Sequence, residues 1–351
     1  MNPIYALLRR AEDGAPTCDP GNEYDGRMGV RISSIFVILV SSAFGAMFPV
    51  FASSFNNSKA LNWAFFIAKY FGSGVIIATA FIHLLGPAEE ALRNECLTGP
   101  ITEYSWAEGI ILMTVVVLFF VELMVMRHAR FGESHAHDSP GHDHSDATKT
   151  TELTSNEVKS HIPGEDHLGH SREHRDLELA EKGTSLQEYM AQLTSVFILE
   201  FGIIFHSVFI GLTLAVSGGE FTTLYIVLVF HQTFEGLGLG ARLATIPWPR
   251  SKRWTPYLLG LGYAVSTPIA IAIGLGVRQA YPPEGYTTLV VNGVFDSISA
   301  GILIYTALVE LMAHEFMFST SMRKAPIKNV LAAFGLVCLG ALLMALLGKW
   351  A

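Results

Sequence analysis

Leu224-Tyr225-Ile226-Val227-Leu228-Val229-Phe230-His231-Gln232-Thr233-Phe234-Glu235-Gly236-Leu237-Gly238-Leu239-Gly240 sets an imidazole and a carboxylate, four residues apart, in the middle of an apolar run. Continued to Thr245, the run has the roughly 20 residues that a helix needs to cross a hydrocarbon core. A second segment, His206-Ser207-Val208-Phe209-Ile210-Gly211, repeats the pattern one run upstream. Ionisable side chains at such a depth are costly and as a rule functional. The two segments thus point both to a membrane fold and to where its chemistry lies.

Composition supports the membrane reading. Of 351 residues, 50% are hydrophobic, 15% are charged and 32 are glycine. The mean hydropathy is +0.39. A soluble domain carries about a quarter charged residues, so an all-α, polytopic membrane protein is expected. Eight stretches are long enough to span: Val30 to Ser53, Asn62 to Gly86, Trp106 to Arg127, Leu186 to Ser217, Leu224 to Thr245, Pro256 to Gln279, Thr287 to Met312 and Val330 to Lys349. The chain divides into an N-terminal arm (1–29), helices one to three (30–127), a loop (128–185) and helices four to eight (186–351), with the candidate site on the fourth and fifth helices.

Basic residues orient the spans. Lys59, Arg127, Arg130, Arg242, Arg250, Lys252, Arg253, Arg323, Lys324 and Lys328 fall on one side. The opposite loops hold only Arg93, with Arg278 just inside a span end. The basic side is expected to face the cytoplasm, leaving both termini outside, although Arg9, Arg10, Arg27 and Arg31 run against this count. Met1 to Tyr24 lacks the apolar core of a cleavable signal peptide. Cys18 and Cys96 share the outer side, so either a disulfide or two free thiols is open, and Cys338 is expected to be buried in the last span.

The loop is polar, poor in aromatics and expected to be largely disordered. His135, His137, His142 and His144 form a tract with Asp138 and Asp143 that suits a divalent metal. Being confined to one side, the tract is accessory to any transport. Inside the spans, His231 and Glu235 point from one helix face and can share an ion. His206 joins them if the fourth and fifth helices pack together, as their short connection favours. The spacing of Gly236 and Gly240 permits the close helix approach that a shared site needs. Asp296 and Glu310 in the seventh span either line a path or pair internally.

The two histidine motifs resemble the paired signatures of the Zrt/Irt-like (ZIP) divalent-metal transporters. The eight spans and the histidine-rich third loop match as well. The arm Gly21 to Met28 and the segment Phe295 to Tyr305 are similar to the fungal zinc-uptake members. The resemblance implies that His206, His231 and Glu235 ligate the metal with Ser207 and Gln232 in neighbouring motif positions. It also implies that His83, Glu89 and Glu90 lie near the outer entrance, and that Glu200 serves the exit. Ile210 stands where two-metal members carry a carboxylate, and another such position falls near Thr267, so a single-metal site is expected. The resemblance further implies the plasma membrane, alternating access and often a homodimer.

The ligand types suit zinc but also iron(II), manganese, copper or cadmium, because affinity alone does not select among such metals. Zinc is favoured through the resemblance, as transported substrate with no organic cofactor and no nucleic-acid partner. No Gly-x-x-x-x-Gly-Lys-Ser/Thr loop suggests ATP-driven pumping, and no His-Glu-x-x-His signature suggests an intramembrane zinc hydrolase. The protein is therefore read as a transporter, not an enzyme. A metal-sensing receptor that binds without transporting is the rival that sequence leaves standing.

Overall fold

The computed structural model describes residues 24–54, 58–134, 183–278 and 285–350. It contains eight helices long and apolar enough to cross a membrane. They are α1 (Met28–Ser53), α2 (Lys59–Leu92), α3 (Trp106–Ser134), α4 (Gly183–Val216), α5 (Phe221–Thr245), α6 (Thr255–Val277), α7 (Tyr286–Lys324) and α8 (Ile327–Leu347). No strand occurs among the described residues. Helices are the expected solution, since a segment surrounded by lipid must satisfy its backbone hydrogen bonds internally. The four loop histidines, Cys18, Arg9 and Arg10 lie outside the described residues.

Two helices run past their expected ends for a common reason. Thr79–Leu85 of α2 and Thr306–Phe318 of α7 are π-helical. The first lets α2 pass Gly86-Pro87 and reach Leu92, because Pro87 falls in the first turn of the renewed α-helix, where a missing N–H breaks no bond. The second carries α7 well beyond Met312.

Packing separates α1, α5 and α6 from α2, α7 and α8. α1 packs mainly on α5 and α6, whereas α2 packs on α8 and also on α5, and its C-terminal tail on α7. α4 bridges the two, with Leu214 and Ala215 in one cluster with Ile38, Phe221, Leu228, Ile271 and Leu275, and with Gly202, Phe205 and Phe209 against Ile302, Leu303 and Phe295 of α7. α3 joins the second through Ala107, which packs with Ala88 and Leu92 of α2. α2 is the most enclosed span at 61% buried and α3 the least at 6%, so α2 is central and α3 peripheral.

The groups meet where side chains are absent. A Cβ on Gly72 would overlap the Gly238 Cα, so α2 and α5 touch backbone to backbone. Gly236 and Gly240 likewise face α1 at Gly45 and Ala46. The close approach expected of these glycines therefore goes to α1, not to α4, because they turn away from the His231–Glu235 face. Cys338, expected to be buried, lies exposed on the outward side of α8. Cys96 is disulfide-bonded.

Arg27 and Arg31 explain their own departure from the charge count. Arg31 is fully buried, and all five of its N–H donors are directed to acceptors. They serve the carbonyls of Leu214 (3.1 Å), Ala215 (2.9 Å), Ser217 and Gly26, and the Asp25 carboxylate (2.8 Å). The guanidinium lies over the Phe221 ring at 4.4 Å. It thus caps the C-terminus of α4, whose last carbonyls lack helical partners, and rests on the first residue of α5. Arg27, held at φ 30 beside Gly26, donates to Gly218 O and Thr222. These cations were counted as topogenic charges, yet they act as tertiary caps.

Candidate metal centre

α4 and α5 form a hairpin through Gly218 and Glu220. His206 lies about ten residues before the end of α4, and His231 about ten after the start of α5, which puts both ~15 Å from the turn. That depth is about half of a 30 Å hydrocarbon core. Helical spacing then places Glu235 one turn beyond His231, with His231 Nε2 3.8 Å from Glu235 Oε2.

One ligand atom each from His206, His231 and Glu235 falls within 4.8 Å of the others, and all three residues are buried. Both ring nitrogens of His206, Nε2 of His231 and both oxygens of Glu235 have no hydrogen-bond partner among the described residues. Buried polar atoms are normally satisfied, so several convergent unsatisfied donors and acceptors mark a place for something that binds them. Ligand atoms around a tetrahedral zinc lie about 3.3 Å apart at bonds of ~2.0 Å. Side-chain rotation of about 1 Å closes the difference.

The neighbouring motif residues stand apart from this trio. Gln232 Oε1 accepts from the Tyr263 hydroxyl at 2.6 Å, which also serves the Gln232 carbonyl. Ser207 Oγ is buried without a partner. Ile210 packs at the edge of the α1–α4–α5–α6 cluster, so no carboxylate extends the centre there.

His83, expected near the outer mouth, reaches the centre itself. Its ring centroid is 4.6 Å from that of His231, nearly edge to face. Its Nε2 contacts the Met344 carbonyl at 2.9 Å. A carbonyl only accepts, so Nε2 carries the proton and Nδ1 keeps its lone pair. Glu89 and Glu90 lie farther out on the tail of α2, Glu89 pairing with Arg93 at 3.2 Å. Glu200 lies about two turns before His206 on α4, buried, with Oε2 unpartnered. The residue that sequence reasoning left undecided is Asp296 of α7, whose Oδ1 lies 3.9 Å from His206 Nδ1.

Beyond Glu235 the same face of α5 continues to Gly238 and Arg242. Arg242 binds Glu310 at 2.5 Å, and Lys69 binds Glu315 at 2.6 Å. Lys69, Arg242 and Glu315 line a cavity of about 20 Å³ with Gly238 and Leu311, room for roughly one water. Glu310 thus pairs internally. On this side of the centre the two ion pairs leave little open space.

A family model described as ZIP Zinc transporter matches residues 28–348. The chain is 43% identical to Zinc-regulated transporter 2 of Saccharomyces cerevisiae, covering 97% of this chain and 98% of that protein. It is 44% identical to Zinc-regulated transporter 1 of the same yeast, covering 94% and 90%. Zinc-regulated transporter 1 of Schizosaccharomyces pombe is 39% identical, with 100% and 94% covered.

Proposed function

The chain belongs to the ZIP zinc transporter family and is a multi-pass membrane protein, and on that premise we propose that it carries Zn2+ into the cytoplasm by alternating access through His206, His231 and Glu235. The observation that carries this reading is the buried, unsatisfied trio contributed by two adjacent helices. Two imidazoles and one carboxylate suit zinc, and the absence of a thiolate keeps the ion releasable. Gln232, next to His231, is held by Tyr263, and Ser207 adjoins His206 in the chain. His83, Glu89 and Glu90 receive the ion from outside, and Glu200 meets it on the way out. The protein resides in the plasma membrane with both termini outside, and the loop histidines bind metal only as an accessory.

Closure below the centre favours alternating access over an open pore. The ion pairs Arg242–Glu310 and Lys69–Glu315 stand across the inward column and leave room for roughly one water, so an ion does not pass them without a rearrangement. Iron(II), manganese and cadmium remain competitors at the same ligands. A receptor would bind zinc and never release it on the far side.

Uptake of radiolabelled zinc by reconstituted vesicles tests the reading. His206→Ala, His231→Ala and Glu235→Gln should each remove most uptake at unchanged protein content, whereas deleting His135 to His144 should leave substantial uptake. Near-normal uptake by His231→Ala would refute the site. Zinc binding without uptake in the wild type would favour the receptor.

A further inference from the structure

Asp296 is the buried acid that the proposed cycle leaves without a task. It lies about ten residues into α7, at the depth of His206 and His231, and its residue exposure is 9%. The other acids of α7 have cations, Glu310 on Arg242 and Glu315 on Lys69. Asp296 Oδ1 has no hydrogen-bond partner among the described residues. The adjacent Ser297 hydroxyl is spent on the Gly293 carbonyl. What faces Oδ1 is His206 Nδ1, at 3.9 Å.

An uncompensated carboxylate at membrane depth is destabilising, so its compensation belongs to the loaded state. Two geometries offer it. As a fourth ligand, Asp296 would approach all three members of the trio; it stands outside that group and neighbours His206 alone. As a partner to the ring, it would accept the Nδ1 proton while Nε2 holds the metal, the arrangement that orients most metal-bound histidines.

Resting on the alternating-access reading, we propose that Asp296 is the positioning residue of His206 and that its hold depends on state. His206 rides on α4, which packs with α1, α5 and α6 on one face and against α7 through Gly202, Phe205 and Phe209 on another, whereas Asp296 rides on α7, which also packs with α2 and α3. The 3.9 Å approach of Asp296 to His206 spans the α4–α7 interface, so a shift of α4 against α7 separates the two side chains. Together, the pair fixes one ring tautomer and raises the basicity of the ligating nitrogen. Apart, His206 loses its orientation and the site weakens by the 10- to 100-fold typical of losing such a partner. A carrier needs a difference of that kind between loading and release, because an ion bound equally in both states shifts neither.

The test measures zinc Kd by equilibrium dialysis and zinc uptake in vesicles on the full chain, as wild type, Asp296→Asn, Asp296→Glu, His206→Ala and the double variant His206→Ala/Asp296→Asn. Asp296→Asn should raise Kd and apparent KM about 10- to 100-fold while maximal uptake at saturating zinc stays within about two-fold. Asp296→Glu should recover most of the affinity. In the double variant, Asp296→Asn should add nothing to the Kd of His206→Ala, since its action runs through that ring. Unchanged Kd and KM in Asp296→Asn, or an additive loss in the double variant, overturns the inference. Wild-type uptake by His206→Ala would instead sink the site itself, so the two failures are separable.

Discussion

Replacing Arg31 with alanine should be among the most destabilising single changes outside the metal centre. The guanidinium is fully buried and engages five acceptors, three of them carbonyls at the C-terminus of α4. Removing one member of a buried charged network typically costs about 3–5 kcal/mol, because its partners stay behind unsatisfied. In a protein of this size that lowers the thermal midpoint by roughly 4–7 °C. Arg27→Ala supplies the control. Its side chain is 34% exposed and also pairs with Asp25, and a pair of that exposure is worth about 0–1 kcal/mol. The assay is thermal unfolding of detergent-purified protein, read as loss of the monodisperse peak after heating. Equal midpoints for Arg31→Ala and Arg27→Ala would show that the cap is not energetically distinct from a surface pair.

Asp25 gives a prediction with a sign. Hydrogen bonds from Arg27 first, then Arg31, hold its carboxyl down from 3.8 to about 2. A depressed carboxylate contributes stability in full above 3.8, and the contribution is lost as pH falls through about 2. Relative to wild type, Asp25→Asn should show the same midpoint deficit at pH 7 and pH 5 and roughly half of it at pH 3; a deficit that already shrinks between pH 7 and pH 5 would rule this out. Gly72→Ala should lose about 1–3 kcal/mol through overpacking, since its Cβ meets the Gly238 backbone. Gly335→Ala, with nothing within 4 Å, should be neutral or stabilising; equal behaviour of the two variants in a thermal scan would contradict the contact. Arg242→Met should cost more than the double change Arg242→Met/Glu310→Met, because only the single change strands a buried carboxylate. An additive cycle would mean that the pair is solvated.

Much of this architecture is legible in the sequence because lipid imposes simple rules. Length and apolarity define eight spans, and a spacing of four puts His231 and Glu235 on one face. His206 joined them through a short hairpin, which sequence can suggest. Asp296 was harder, because which face α7 turns toward α4 depends on packing between distant segments. Arg31 was misread for a different cause: charge counting treats every arginine near a span end as topogenic, and cannot tell a solvated cation from one that caps another helix. The glycines of α5 showed a close approach without showing to which helix. The entrance position of His83 came from the resemblance alone; its contact with His231 depends on the π-helical turn between Thr79 and Leu85, which residue spacing does not reveal.

That π-helical segment sets the register of everything beyond it. Its wider i→i+5 turns change the angle between successive residues, so the face on which the ring of His83 meets His231 follows from this segment and not from the uniform period of an α-helix. Removing one residue there would leave the length and apolarity of α2 almost untouched while swinging His83, Glu89 and Glu90 to another face. Thr306–Phe318 does the same for Glu310 and Glu315, which lie within it and reach Arg242 and Lys69.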